Sequence, residues 1–202
     1  YRGCYGFGIS RVNRKIHSRR GTRFMWVGTF SPQTVGGRRS HPPKAEKIWE
    51  KKINVKENRK AIRSAMAATV NTGLVHARGH KIPAEYPFVI STDFEAMQTT
   101  KEVITALNGL GFGDELARSS IKKVRAGKGT MRGRKYKRKK GIVFVVSKEC
   151  PLQKSAQNIP GVETIQVNAL NAELLAPGAQ AGRVTLWGQG ALLALEEKKL
   201  FL

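Results

Sequence analysis

The chain has 202 residues, of which 40% are hydrophobic, and its 37 Lys/Arg against 14 Asp/Glu give a formal net charge of +23. No apolar run approaches the roughly 20 residues of a membrane-spanning helix, and no secretory leader pattern is present. Two cysteines, Cys4 and Cys150, are too few and too far apart for a disulfide framework and fit the reducing cytosol. These features exclude a membrane span and a disulfide-stapled scaffold.

The positive charge is concentrated in two segments. Residues 1–44 carry ten Lys/Arg and residues 118–140 carry twelve, with no acid in either, whereas charges in the remaining chain nearly cancel. Cations that only served solubility would be spread over the surface, so two basic segments on a neutral body indicate a polyanion, with nucleic acid as the default candidate. We expect both segments to be disordered alone and to become ordered on a partner.

The first basic segment combines arginine, glycine and aromatic residues. It holds seven glycines and six of the fifteen aromatic residues, and eight of its ten bases are Arg. Guanidinium groups grip phosphate with two bonds, glycine allows close approach, and aromatic rings stack on unpaired bases. A generic disordered tail is the alternative, but such tails are usually poor in aromatic residues.

Two helices are predicted from their caps and apolar stripes. Asn54 and Glu57 have capping-box spacing before a stripe of Ile62, Ala65, Met66, Thr69 and Val70. Bases on a neighbouring face form either a solvated surface or an extension of the interface: Lys56, Arg59, Lys60 and Arg63. Thr99 and Glu102 form a second box before a stripe of Val103, Ile104, Leu107 and Leu110, with Gly109 and Gly111 as stops.

Strands and helices alternate in the rest of the chain. Strands are predicted at 87–91, 142–146, 162–167 and 183–187, and short helices at 151–159, 171–175 and 190–199. The run at 142–146 is continuously apolar and β-branched, which is typical of a parallel strand buried on both faces. The pattern predicts an α/β layered domain with a mainly parallel sheet flanked by helices.

The second basic segment interrupts this domain. Gly127, Gly129 and Gly133 make it flexible, and it leads directly into the strand at 142–146, so the sheet edge holds one end of a loop that presents cations to phosphate. The glycine spacing matches neither nucleotide-binding pattern, and the loop precedes a strand where those loops follow one. A nucleotide-dependent enzyme is therefore a remote alternative.

No metal or catalytic constellation is predicted. His76 and His80 have ligand spacing, but zinc needs about four ligands, and we interpret both histidines as surface or RNA-facing. Neither cysteine has a base and an orienting group near it in sequence. We expect no cofactor, no metal and no small-molecule substrate.

Four stretches resemble one family. They are the Thr34–Lys44 segment TVGGRRSHPPK with 46–48, then residues 61–69, the basic run 123–140, and 171–178. Together they are similar to large-subunit ribosomal protein number four in its archaeal and eukaryotic form. The chain stops at Leu202 without the long eukaryotic extension, which favours the archaeal type.

The resemblance implies a globular α/β domain on the outside of the large ribosomal subunit and a long extended loop that penetrates the ribosomal RNA. In the family this loop lines the peptide exit tunnel beside a second tunnel-lining protein. Residues 1–44 look like that loop with its returning arm, its tip is expected at 19–30, and residues 45–202 form the domain with the basic insertion at 118–140. A first strand and the outgoing arm of the loop are expected before Tyr1.

We therefore interpret the chain as a cytoplasmic, non-enzymatic ribosomal protein whose partners are large-subunit RNA and neighbouring ribosomal proteins. A free RNA-binding regulator, for instance of its own messenger, is the alternative. The predicted RNA-binding residues of the first segment are Arg2, Arg11, Arg14, Arg19, Arg20, Arg23, Trp26, Arg38, Arg39, His41 and Lys44. Those of the second are Arg125, Lys128, Arg132, Arg134, Lys135, Tyr136, Lys137 and Arg138.

Overall fold

The computed structural model describes residues 12–201, so Cys4 and the predicted RNA-binding residues Arg2 and Arg11 lie outside the described residues. The chain divides into two compact units, the first ending at Lys52 and the second beginning at Ile53. In its described part, the first unit contains one antiparallel hairpin of β1 (Arg14–Arg20) and β2 (Arg23–Gly28). The following residues, up to Lys52, form turns and irregular chain.

The second unit alternates helices with strands. Its helices are α1 (Val55–Val70), α2 (Thr72–Ala77), α3 (Thr92–Glu95), α4 (Thr100–Gly109), α5 (Gly113–Ser120), α6 (Pro151–Gln157), α7 (Ala172–Leu175) and α8 (Gln189–Glu197). Its strands are β3 (Val89–Ile90), β4 (Lys123–Val124), β5 (Tyr136–Lys137), β6 (Val143–Val146), β7 (Glu163–Gln166) and β8 (Thr185–Gly188). Within residues 12–201 no helix has the length and apolar character needed to cross a membrane.

A four-stranded parallel sheet organises this unit, in the order β3-β8-β6-β7. Strand β6 lies inside the sheet and is completely buried. Its alternate side chains point to opposite faces of the sheet, and a core cluster covers each face. Phe144 and Val146 belong to a core cluster with Leu107 of α4 and Leu152 of α6. Val143 and its alternate neighbour Val145 belong to the other cluster, with residues of α1, α7 and α8. The predicted α/β class with a parallel sheet flanked by helices is confirmed.

The predicted starts of α1 and α4 agree with the structure, whereas the predicted apolar stripe of α1 extends too far. The Thr99 capping box forms in full, with both of its hydrogen bonds. Asn54 is the N-cap residue of α1, but the predicted capping box does not form there, because the Asn54 side chain makes no cap hydrogen bond. Val70 is 52% exposed, so its predicted place in the packed stripe is also wrong.

Short elements account for most of the missed structure. Helices α2, α3 and α5 have eight residues or fewer, and such lengths show too few repeats of an apolar period to be recognised. The β1–β2 hairpin was missed for a different reason. All of its side chains are exposed on both faces, so the alternation of buried and solvated residues that marks an ordinary strand is absent.

Candidate nucleic-acid interface

The hairpin of the first unit presents basic side chains along its whole length. Arg14 pairs with Gly28 at the open end, and Arg20 pairs with Arg23 next to the turn. Directly opposed like charges destabilise a strand pair. The Arg20–Arg23 pair is therefore a place where a bound anion would stabilise the protein.

The turn of the hairpin is built by a glycine. Gly21 has φ +57°, a left-handed conformation that glycine adopts without steric cost. The Nε of Arg19 donates to the carbonyl of Gly21 at 3.0 Å, so this guanidinium is held at the tip. The turn falls within residues 19–30, the range that the sequence indicated for the tip of the basic loop.

Downstream of the hairpin, a compact turn precedes the next basic residues. Ser31 is buried, and its carbonyl accepts from the Thr34 hydroxyl at 2.8 Å. The amide of Gly37 donates to the carbonyl of Thr34 at 2.9 Å. The predicted RNA-binding residues that follow are all exposed: Arg38, Arg39, His41 and Lys44.

The second basic segment also forms a hairpin, between β4 and β5. Lys123 pairs with Lys137 across the two strands, which again places like charges opposite each other. The Lys122 ammonium lies 3.7 Å from the centroid of the Tyr136 ring, and the Lys135 ammonium lies 5.5 Å from it. Both distances are within the range of cation–π attraction, so Tyr136 concentrates positive charge on this hairpin.

Backbone bonds shape the loop between these strands. The Arg125 amide donates to the carbonyl of Lys135 at 2.8 Å, and the Thr130 hydroxyl donates to the carbonyl of Arg125 at 2.7 Å. The Arg134 amide donates to the carbonyl of Gly129 at 3.0 Å. The loop therefore has defined turns, while its Lys and Arg side chains remain exposed.

A buried ion cluster anchors the start of the second basic segment. Glu115 is fully buried, and its carboxylate accepts from the Arg118 Nε at 2.7 Å and the Lys81 amide at 3.0 Å, and contacts the His80 Nδ1 at 2.7 Å. Burial alone would raise the pKa of Glu115, but hydrogen bonds from Arg118, His80 and Lys81 lower it to about 2. Arg118 also donates to the carbonyl of Lys140 at 2.7 Å, which ties the two ends of the segment together.

A second cluster anchors the end of the segment to the sheet. Lys140 and Arg183 both bind the Glu163 carboxylate, the latter through its Nη1 at 2.6 Å. Burial opposes ionisation of Glu163, but the hydrogen bonds and charges of these two cations lower its pKa. Arg183 is itself fully buried and donates to the carbonyls of Gly141 at 2.8 Å and Leu174 at 2.9 Å. The buried carboxylate of Glu115 and the partly buried carboxylate of Glu163 thus hold the basic hairpin from both ends.

The fold creates a basic cleft that sequence reasoning missed. It has a volume of about 670 Å³ and lies beside the hairpin's base. Its cationic lining outside the predicted set comprises Arg78, Arg118, Lys123, Lys139 and Lys140. Arg78 lies far from both basic segments in sequence, and no local signal could have identified it. Burial first, and then the charges of Arg183 and Arg118, lower the pKa of the Arg78 guanidinium, which donates to the carbonyl of Pro177 at 2.7 Å.

The predicted RNA-binding residues fall into one group in each unit, and all of those within residues 12–201 are exposed. None of these described residues forms an ion pair with an acid in the part of the chain that the structure covers. Three acids of the second unit, Asp114, Glu115 and Glu163, pair instead with Lys81, Arg118, Lys140, Arg183 and His80. The exposed cations of the two hairpins are therefore available to an external anion.

The histidines have different environments. His76 is exposed, but the prediction that His80 faces the surface or RNA is wrong, because it is buried against Glu115. Among residues 12–201 no group of three His, Cys, Asp or Glu side chains could hold a metal ion. Cys150 is a free thiol, and its partial burial raises its pKa.

This combination of fold and surface defines a class of protein. A neutral α/β body with a parallel sheet carries exposed, acid-free basic hairpins, an arrangement typical of proteins that bind nucleic acid through phosphate contacts.

Comparison with known families identifies the particular one. The model of the ribosomal protein L4/L1 family matches residues 5–198, and the chain belongs to this family. The membership confirms the resemblance seen in the sequence and the interpretation of the chain as a structural ribosomal component and not an enzyme.

Several archaeal proteins are similar over nearly the whole chain. The large ribosomal subunit protein uL4 of Methanococcoides burtonii is 48% identical over 192 residues, which cover 95% of this chain and 73% of the relative. The uL4 of Nanoarchaeum equitans is 48% identical over 202 residues, which cover 100% of this chain and 75% of the relative. The uL4 of Methanocaldococcus jannaschii is 47% identical over 195 residues, covering 96% and 74% respectively.

Proposed function

We propose that this protein is a structural constituent of the large ribosomal subunit that binds ribosomal RNA through its two basic hairpins. Family membership supports the ribosomal assignment. The observation that carries the RNA-binding assignment is the exposure of every described candidate cation, with no acid neighbour paired to it. Neutralising the phosphate charge of closely packed RNA is the chemistry that such a surface performs.

In this proposal the two anchoring carboxylates are positioning residues. Glu115 and Glu163 fix the two ends of the second basic segment, so its cations meet the RNA with little loss of conformational freedom. The cleft beside the hairpin extends the phosphate-binding surface to Lys123, Lys139 and Arg78. Residues 45–202 then act as the domain that docks on RNA, and residues 1–44 as the arm that penetrates it.

The salt dependence of binding to large-subunit RNA tests this function. One variant replaces the Lys and Arg residues of 122–138 by Gln and keeps the anchoring Arg118 and Lys140. The second variant replaces four arginines of the first hairpin by Gln: Arg14, Arg19, Arg20 and Arg23. The control variant replaces exposed lysines outside both basic segments by Gln: Lys101, Lys148, Lys154, Lys198 and Lys199. We expect each hairpin variant to lose about one unit of slope in log K against log salt per phosphate contact removed.

The control variant is expected to keep most of the wild-type slope. A single Arg38→Ala change should weaken binding modestly and lower the slope by about one unit. If both hairpin variants bind with the wild-type slope while the control variant does not, the hairpins are not the phosphate-binding surface.

We also propose that the first-unit hairpin lines the peptide exit tunnel and meets a second tunnel-lining protein there. Support comes from its shape. It is a two-stranded ribbon of roughly 20 Å whose described side chains are exposed on both faces. A photoreactive residue at Met25 in assembled ribosomes should crosslink to a nascent peptide held in the tunnel, and one at Leu193 of α8 should not. Crosslinks from Met25 to RNA alone would contradict the tunnel assignment.

A further inference from the structure

The two faces of the first-unit hairpin differ in chemistry. Cross-strand partners share a face, and the register pairs Ile16 with Trp26 and Arg19 with Phe24. A shift in register between Ile16 and Ser18 lets this face continue across the irregularity. One face therefore carries Arg14, Ile16, Arg19, Phe24 and Trp26, and we call it the aromatic face.

Half of the side chains on the opposite face are cationic. Lys15 pairs with Val27, Ser18 with Met25, and Arg20 with Arg23. Three of these six side chains are positively charged, and none of the six is aromatic. Phe24 and Trp26 therefore lie on the face with fewer cations, which are Arg14 and Arg19.

We propose that the aromatic face is a stacking platform for unpaired nucleobases, while the opposite face contacts phosphate. The inference rests on the proposed RNA-binding function and deepens it, because it assigns bases, and not only the backbone, as the ligand of this hairpin.

The geometry of the aromatic face suits flat ligands. The Phe24 and Trp26 rings lie 6.2 Å apart between centroids with a 44° tilt, so they form two adjoining surfaces. The Arg19 guanidinium carbon lies 5.2 Å from the Phe24 centroid and extends the platform with a planar cation. Trp26 is 54% exposed and Phe24 is 38% exposed, which leaves ring area open to a base.

Charge favours a nucleic acid over a protein as the occupant. Residues 1–44 contain no acid, and both edges of the aromatic face carry arginine, at Arg14 and Arg19. An apolar protein partner would have to bury these guanidinium groups, whereas a nucleotide presents a π-face to the rings and a phosphate to the cations. Stacking of this kind tolerates every base, because each has a π-face.

The test compares two RNA probes of equal phosphate charge with the full chain. One is a single-stranded oligonucleotide, and the other has the same length with abasic sites along its centre. We expect the wild type to bind the abasic probe about tenfold or more weakly, the scale of one or two stacked bases. Trp26→Ala and Phe24→Ala should each reduce this discrimination while leaving the salt slope unchanged.

Matched variants separate stacking from damage to the hairpin. Met25 lies on the opposite face. The control variant Met25→Ala should therefore keep the full difference in affinity between the two probes. Trp26→Phe keeps an aromatic ring and should keep most of it, whereas Trp26→Leu keeps apolar bulk and should lose it. If Leu preserves the discrimination as well as Phe does, apolar packing and not ring stacking is responsible, and the inference is overturned.

The remaining outcomes distinguish this inference from the function on which it rests. Equal affinity of the wild type for the two probes, with a steep salt slope, would overturn base stacking and leave phosphate binding intact. The same result together with a ribosomal protein captured by the wild type but not by Trp26→Ala would assign the aromatic face to protein docking instead. Binding of neither probe would overturn base stacking, whereas the proposed function itself fails only if the chain does not bind large-subunit RNA.

Discussion

At the scale of single residues, a few buried polar side chains hold exposed charge in place. Glu115 joins His80, Arg118 and the backbone of Lys81, and Glu163 joins Lys140 to Arg183. A buried ion pair contributes little net stability against an apolar replacement, but removing one partner leaves an uncompensated charge. These residues should therefore tolerate very little change.

Glu115→Gln should lower the free energy of unfolding at neutral pH by about 3 kcal/mol, since it leaves the largely buried Arg118 guanidinium without its carboxylate. The folded-state pKa of Glu115 is about 2, below its usual 4.5, so its stabilising effect is complete above pH 4.5 and disappears as the pH falls toward 2. Urea unfolding of both proteins across this range should show their stabilities converging at low pH. Glu149→Gln, at an exposed acid, is the control and should match the wild type throughout.

Gly161→Ala should destabilise the protein by about 1–3 kcal/mol. Gly161 has φ +80°, and an added Cβ would lie 2.8 Å from the Cβ of Ser119 and 2.9 Å from the carbonyl oxygen of Lys139. Gly133 has a similar φ of +77° with open space around it, so Gly133→Ala reports the backbone strain alone. Thermal unfolding should show the larger loss for Gly161→Ala, and equal losses would mean that the close approach is relieved by a small shift.

At the scale of elements, the two predicted helix caps behave differently. The Thr99 side chain accepts from the Glu102 amide at 3.3 Å, and the Glu102 carboxylate accepts from the Thr99 amide at 3.4 Å. Asn54 has the same residue spacing to Glu57 but makes no side-chain cap bond. The difference provides an internal comparison between a capping pattern and a formed cap.

Thr99→Ala should lower stability by about 1 kcal/mol, because it removes a partner of an otherwise unsatisfied helix amide. Asn54→Ala should have a clearly smaller effect, since no such bond is lost. Chemical denaturation of both variants is the measurement. A larger loss for Asn54→Ala would mean that its side chain caps α1 in solution.

At the scale of the whole molecule, the packed core belongs to the second unit. Both hydrophobic clusters lie between residues 62 and 201. In the described part of the first unit, only Ser31 is buried. The first unit therefore contributes exposed charge and aromatic surface, and the second contributes the stability.

A fragment of residues 53–202 should fold and unfold with nearly the free energy of the full chain, within about 0.5 kcal/mol. Its urea m-value should also be close to that of the full chain, because the slope follows the surface exposed on unfolding. A loss of several kcal/mol would show that the first unit supports the core.

The sheet and its major helices could be predicted because their signals are local. Strand β6 is a continuous apolar run, and α1 and α4 show stripes with recognisable starts. The β1–β2 hairpin could not be predicted in this way, because its side chains face no core and therefore follow no burial period. The β4–β5 hairpin could not be predicted either, because each of its strands has only two residues.

The sequence by itself determined the α/β class, the family and the two basic segments, because periodicity, charge and motif are properties of neighbouring residues. Only the tertiary structure decided how the second segment is held and what surrounds it. Three contacts join residues that are distant in the chain. Glu163 pairs with Arg183, Glu115 pairs with His80, and Arg78 lines the basic cleft beside the second hairpin. Such contacts depend on how the sheet and helices pack, and packing has no signature in a local stretch of sequence.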